Sequence, residues 1–176
     1  TTPRGVLAAS AMNGFDKAIE STYARTATPV TDATATRALG VLADALPALG
    51  SGTVTPAAVE PVLEGILLAQ YGISRPDGTT LSLIHAFGHA LTRTYPVQQG
   101  AAHAVVAPHA LRYVLDSVDA GRELLADAFD VADPGEDDAI VAAVAAVRDA
   151  LGLPTRLRDV DGPTPDEFER VARHTL

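Results

Sequence analysis

A chain of 176 residues with 47% hydrophobic content is long enough to build one compact domain with a real core, expected to span 1–176. Its formal net charge of −9 argues against a phosphate-backbone partner, because nucleic-acid binding needs basic surface to displace counterions. Cysteine is absent, which excludes disulfides and thiolate metal sites and leaves His, carboxylate and amide groups as the only side-chain ligands for a metal.

The apolar spacing predicts helix almost throughout, seven or eight of them, with hardly any β-branched alternation. The first is expected from about Pro3 to Tyr23. The second runs from Asp32 to Leu46 and is ended by Pro47, Gly50 and Gly52. Thr55-Pro56, a cap followed by Pro at the first helical position, opens a third that continues to about Ile73. Pro76, Asp77 and Gly78 form a turn, and Thr79 or Thr80 caps a fourth helix that carries His85 and His89 and ends at Tyr95-Pro96. A fifth runs from near Gly100 to Ser117, with a kink or break expected at Pro108. A sixth covers about Ala120 to Phe129. Asp133-Pro134-Gly135-Glu136 and Thr164-Pro165-Asp166-Glu167 read as the starts of a seventh and an eighth helix, each with an acid three residues after the cap. Gly152 closes the seventh, and the eighth is expected to be cut off at Leu176. No strand leads into a Gly-rich turn and helix, so no dinucleotide-binding βαβ unit is expected within the chain. No apolar run approaches the roughly 18 residues of a membrane span, and Thr1-Thr2-Pro3-Arg4 opens no signal peptide. The cytoplasm is therefore the expected compartment, and a beginning without Met suggests a longer chain that has been cut or trimmed.

His85-Ala-Phe-Gly-His89 places two imidazoles one helical turn apart on one face. They can share a metal or a proton, or be two polar residues bonded to carbonyls or water. Ala86 stands where a zinc-protease motif has its general-base Glu, so that motif is excluded. Asn13 and Lys17 repeat the same spacing on the first helix. Lys17 is the only lysine beside twelve arginines, and a compact ammonium can titrate and donate a proton as a guanidinium cannot; the plain alternative is a solvated surface lysine. Gln98-Gln99-Gly100 leads into a helix whose free amide N–H groups favour an anion or a polar substrate group. His103 and His109 lie on or near an apolar helix and read by themselves as hydrogen-bonded histidines. Asp137-Asp138 and Asp159-Asp161 read as solvated surface.

Three segments together resemble the iron-containing alcohol dehydrogenase family, within the superfamily that holds dehydroquinate synthase, glycerol dehydrogenase and maleylacetate reductase. They are Ser10-Ala-Met-Asn-Gly-Phe-Asp-Lys-Ala-Ile-Glu20 with Tyr23 and Ala27–Ala33, then His85-Ala-Phe-Gly-His89 leading through Gln99-Gly100 to Ala107–Tyr113, then Leu151-Gly-Leu-Pro-Thr-Arg-Leu157. The resemblance covers essentially the whole chain. It implies an all-α fold, the multi-helix C-terminal domain of that family, with the N-terminal α/β nucleotide-binding domain absent. That domain is the implied partner, together with a small-molecule substrate. No cofactor-binding residue is identified; the implied cofactors are NAD or NADP and a divalent metal, iron or zinc. The family's metal-ligand positions fall on Asn13, Lys17, His85 and Gln99, of which only His85 is a strong ligand, so weak or absent metal binding is expected. The family's further active-site histidine falls on His89. Asn13 and His103 are similar to maleylacetate reductases, from which Lys17 departs. The implied roles are Lys17, His89 and His85 as catalytic groups and Asn13, Gln99 and His103 as substrate contacts. The expected function is the substrate side of an NAD(P)-dependent oxidoreductase; a catalytically degenerate binding or structural module of the same fold is the alternative. A domain-facing apolar surface and self-association into a homo-oligomer are expected. The Arg- and Asp-rich balance resembles proteins of salt-loving archaea.

Overall fold

The computed structural model describes residues 2–51, 53–76 and 78–175. The parts of the expected turns at Gly52 and Asp77, and the chain ends at Thr1 and Leu176, lie outside the described residues. Eight α-helices follow in order: α1 (Arg4–Tyr23), α2 (Pro29–Ser51), α3 (Pro56–Ile73), α4 (Leu83–Thr94), α5 (Gln99–Ser117), α6 (Arg122–Phe129), α7 (Asp137–Ala150) and α8 (Phe168–Thr175). No strand occurs among the described residues; Arg75 and Gly78 form an isolated bridge.

From Ala8 to Tyr23, α1 is buried on most of its circumference, and a helix apolar nearly all round has to be surrounded. It packs on α2 and α3 on one side and on α5 on another, with α6 near its end. Met12, Phe15 and Ile19 of α1 are fully buried with Leu39, Leu42, Leu46 and Leu49 of α2, Leu111 and Leu115 of α5 and Leu125 of α6. Each such side chain contributes about 1.5–3 kcal/mol of transfer free energy. The second body of packing joins α4, α5 and α8 through Leu91, Ala102 and Val171.

Local signals set most helix ends. Thr55 Oγ1 accepts the Ala58 N–H at 3.2 Å and starts α3. Thr164 and Glu167 form the expected capping box, but it opens a 3₁₀ turn over Pro165–Glu167 that leads into α8. Gly152 takes φ +67° after α7, as a helix-closing glycine does. Four expectations are corrected. The second helix begins at Pro29, where Thr28 and Thr31 exchange hydrogen bonds between their hydroxyls and backbone N–H groups. It also runs through Pro47 to Ser51. Interior proline costs about 3 kcal/mol, but Leu39, Leu42, Leu46 and Leu49 form one stripe, and burying Leu49 offsets much of that loss. Likewise α5 continues through Pro108, whose neighbours Ala107, Ala110 and Leu111 are held in the core. Asp133 makes a turn instead of a helix start, its Oδ1 accepting the Gly135 N–H at 2.8 Å, and α7 begins at Asp137.

Gly100 shows how closely α5 approaches α1. A Cβ built there would lie 1.8 Å from the Ala9 carbonyl oxygen, and backbone cannot swing aside as a side-chain tip can. Gly100→Ala is expected to destabilise the fold by about 2–3 kcal/mol, measured as a lower thermal midpoint.

Candidate active site

The polar residues of α1 fall on two adjoining stripes, Asn13 with Lys17 and Asp16 with Glu20, each one turn apart. Asp16 and Glu20 are both fully buried. Glu20 reaches the start of α4: its Oε2 accepts the Ser82 N–H at 2.9 Å, and its Oε1 accepts those of Ile84 at 2.7 Å and His85 at 3.1 Å. The same carboxylate lies 2.6 Å from Nδ1 of His85. This corrects the expected cap of α4. Ser82 is the N-cap residue but makes no side-chain cap bond, and a carboxylate from α1 takes that work. Thr79 Oγ1 instead accepts the Leu81 N–H, and Thr80 pairs with Ser21 at 2.8 Å.

Asp16 makes a looser copy of the pair. Its Oδ2 lies 3.4 Å from Nδ1 of His103, inside ion-pair range, yet neither oxygen has an aligned hydrogen bond among the described residues. Burial pushes the Asp16 carboxyl above its ordinary range, against the opposing pull of His103. The His85 and His103 rings meet edge to face with centroids 4.4 Å apart, and His89 stands 6.3 Å from His85 on the same helix. Gly88 leaves room for the His103 ring: a Cβ there would lie 2.1 Å from Nε2. His103 is fully buried. The Tyr23 hydroxyl closes this cluster with no hydrogen-bond partner among the described residues, held well above the ordinary tyrosine value by burial and then by Glu20 and Asp16.

On the other stripe, the Lys17 ammonium is half-buried and donates to Oε1 of Gln70 on α3 at 3.1 Å. No described carboxylate pairs with it, and burial lowers it from the ordinary lysine value. Asn13 is half-buried one turn before it. His89 is exposed, and burial, then the neighbouring histidines, lower it. Gln99 opens α5, but the anion-binding N-terminus expected there is partly taken, because Gln98 Oε1 accepts the Ala101 N–H at 2.9 Å. His109 is exposed and borders an apolar groove of about 850 Å³ with Leu83, Phe87 and Tyr113. On α4 that groove takes positions 83, 87 and 91, a different stripe from 85 and 89.

Asp16 and Glu20 are the residues that sequence reasoning passed over. Their signal was there: two acids four apart on a helix flanked by Phe15, Ala18 and Ile19 have no solvated face to occupy.

The model of the Fe-containing alcohol dehydrogenase family, C-terminal part, matches residues 7–176. The chain is 32% identical to 1,3-propanediol dehydrogenase of Klebsiella pneumoniae and 31% to lactaldehyde reductase of Escherichia coli (strain K12), in both cases over 99% of the chain and 45% of the relative. The crystal structure of a 1,3-propanediol oxidoreductase superposes with a TM-score of 0.85 at 28% identity, covering 99% of this chain and 46% of that one. The chain thus spans less than half the length of these relatives.

Proposed function

The chain belongs to the Fe-containing alcohol dehydrogenase family, and we propose that it forms the helical, substrate-side half of an NAD(P)-dependent oxidoreductase acting on a small alcohol, aldehyde or keto acid. A nicotinamide bound by the protein supplies or accepts the hydride. The residues described here act at the substrate oxygen.

The observation that carries this reading is the Lys17 amine, half-buried, tied among the described residues only to a neutral amide oxygen and standing one turn from Asn13. When a carbonyl carbon receives hydride, its oxygen gains a full negative charge, and a fixed cation in a poorly solvated site stabilises that charge. Lys17 then gives the alkoxide its proton; in the oxidative direction the neutral amine removes the proton from the alcohol. Asn13 and Gln99 contact the substrate, and His89, with His85 behind it, exchanges protons with solvent. A covering domain is consistent with α3, where Leu63, Leu67 and Tyr71 form an exposed apolar stripe beside Gln70, with Leu67 73% exposed.

A divalent metal does not fit this donor set. Asn13, Lys17, His85 and Gln99 offer one imidazole, two neutral amides and a cation, and an ammonium beside a metal ion repels it. Among the described residues no group of three or more His, Asp or Glu side chains is arranged to hold a metal. Elemental analysis after dialysis is expected to find less than one iron or zinc per chain. Stoichiometric metal bound through His85 would overturn that expectation.

The test joins the chain to its nucleotide-binding half and offers 1,3-propanediol or lactaldehyde with NAD(H) or NADP(H). Substrate-dependent turnover is expected from the joined protein and none from residues 1–176 alone. Failure of the joined protein with a panel of small alcohols, aldehydes and keto acids would favour the second reading, a degenerate module, which the replaced ligand positions at Asn13, Lys17 and Gln99 support.

A further inference from the structure

Lys17 and Gln70 face each other in a seam where α1 and α3 come close. On one side of the pair, a Cβ at Gly14 would lie 2.7 Å from Cγ1 of Ile66; on the other, a Cβ at Gly72 would lie 2.7 Å from Oγ of Ser21. A side chain at either place would have to displace its neighbour. The Lys17 carbonyl is held as well, since Ser21 Oγ donates to it at 2.8 Å while pairing with Thr80 Oγ1, also at 2.8 Å. Packing thus sets the backbones at positions 17 and 70, and what it leaves free is the lysine side chain, a four-carbon flexible stem. Asp16 and Glu20, the acids nearest Lys17 on α1, face His103 and His85 instead. Among the described residues a single bond restrains the end of the stem, from Nζ to Oε1 of Gln70 at 3.1 Å.

We propose that Gln70 is the positioning residue of this site, holding the Lys17 nitrogen where it meets the substrate oxygen. An amide suits that task. A carboxylate at position 70 would offset the lysine charge that a developing oxyanion needs, and an apolar side chain would leave the stem free to wander. The amide has an acceptor, two donors and no charge, so it can pair with the nitrogen as ammonium or as amine, and the restraint does not depend on which is present. A donor stabilises a transition state to the extent that it is already in place when charge develops, and a displacement of about 1 Å can cost 100-fold in rate. Gln70 transfers no proton itself and acts through Lys17. Its effect on turnover rests on the oxidoreductase reading; the ordering of the lysine does not.

Lys17 is the only lysine of the chain, so isotope-labelled lysine gives one signal for the methylene next to the amine, and its relaxation reads the order of the Lys17 tip. That tip should be restrained in the wild-type chain. In Gln70→Met, which keeps the length of the side chain and removes its acceptor, the order parameter should fall below about 0.6, the range of flexible groups. Gln70→Glu keeps an acceptor and should restore the order. A mobile tip in the wild-type chain overturns the proposal, as does an unchanged signal in a folded Gln70→Met chain; Gln70→Asn, one methylene too short to reach, is read in the same way if Gln70→Met does not fold. In the full-length enzyme Gln70→Met should lower kcat about 10- to 100-fold with KM little changed. A merely structural Gln70 would lower the thermal midpoint and leave kcat and the order of Lys17 where they are. Undiminished kcat in Gln70→Met beside a loss in Lys17→Met overturns the proposal alone. Undiminished turnover in both removes Lys17 from the chemistry, and the positioning role of Gln70 with it.

Discussion

Glu20→Ala is expected to destabilise the chain by about 3–5 kcal/mol, because one substitution leaves several buried donors without an acceptor. The side chain is fully buried and serves four donors, the N–H groups of Ser82, Ile84 and His85 and the Nδ1 of His85. Each buried donor left unpaired costs about 1–3 kcal/mol. The sum is not reached, because water can enter the space vacated by the carboxylate and the first turn of α4 can fray. Against a total stability of about 5–15 kcal/mol, the loss is large enough to show as a collapse of the urea midpoint. Glu20→Gln keeps the volume and one acceptor and should lose less. A wild-type midpoint for the alanine variant would mean that α4 does not depend on α1 for its cap.

That dependence marks where sequence reading stops. The helices themselves were legible, because apolar residues recurring at helical spacing report a buried face wherever the partner lies. The pairs His85 with His89 and Asn13 with Lys17 were legible for the same reason. The start of α4 was not. Thr79 and Thr80 look like caps because capping is read from neighbours in the chain, whereas the group that caps this helix is more than sixty residues earlier. Pro47 looks like a break and Pro108 like a kink or break because proline is scored by its local cost, and only the leucine stripe of α2 and the α1–α5 contact show what offsets it. His103 reads by itself as a hydrogen-bonded histidine, but that Asp16 and Gly88 enclose it is seen only in the fold. Long-range pairing of acids on α1 with imidazoles on α4 and α5 is what one-dimensional spacing does not carry.

Lys17→Met in the full-length enzyme should lower kcat/KM by about 100-fold or more, the effect of removing one preorganised donor to a developing oxyanion. Methionine keeps the length and apolar stem of lysine, so the fold is retained and the loss reports on charge. Stability should change little, since the amine is only half-buried and among the described residues bonds only to Gln70. Arginine is not expected to restore turnover: its guanidinium can stabilise charge but does not give up a proton in this pH range. The pH profile supplies a second reading. Burial lowers the Lys17 amine from 10.5, so the protonated form needed for carbonyl reduction is lost at a lower pH than in an exposed lysine. The alkaline limb of kcat/KM for reduction should therefore fall below pH 10.5 and vanish in the methionine variant. Replacing Lys17 with His, together with Asn13→Asp and Gln99→His, removes the cation and supplies a four-ligand set with His85; zinc should then bind near stoichiometrically where the wild type takes up little. A methionine variant with undiminished turnover would remove Lys17 from the chemistry and leave the only lysine of the chain as an accident of composition.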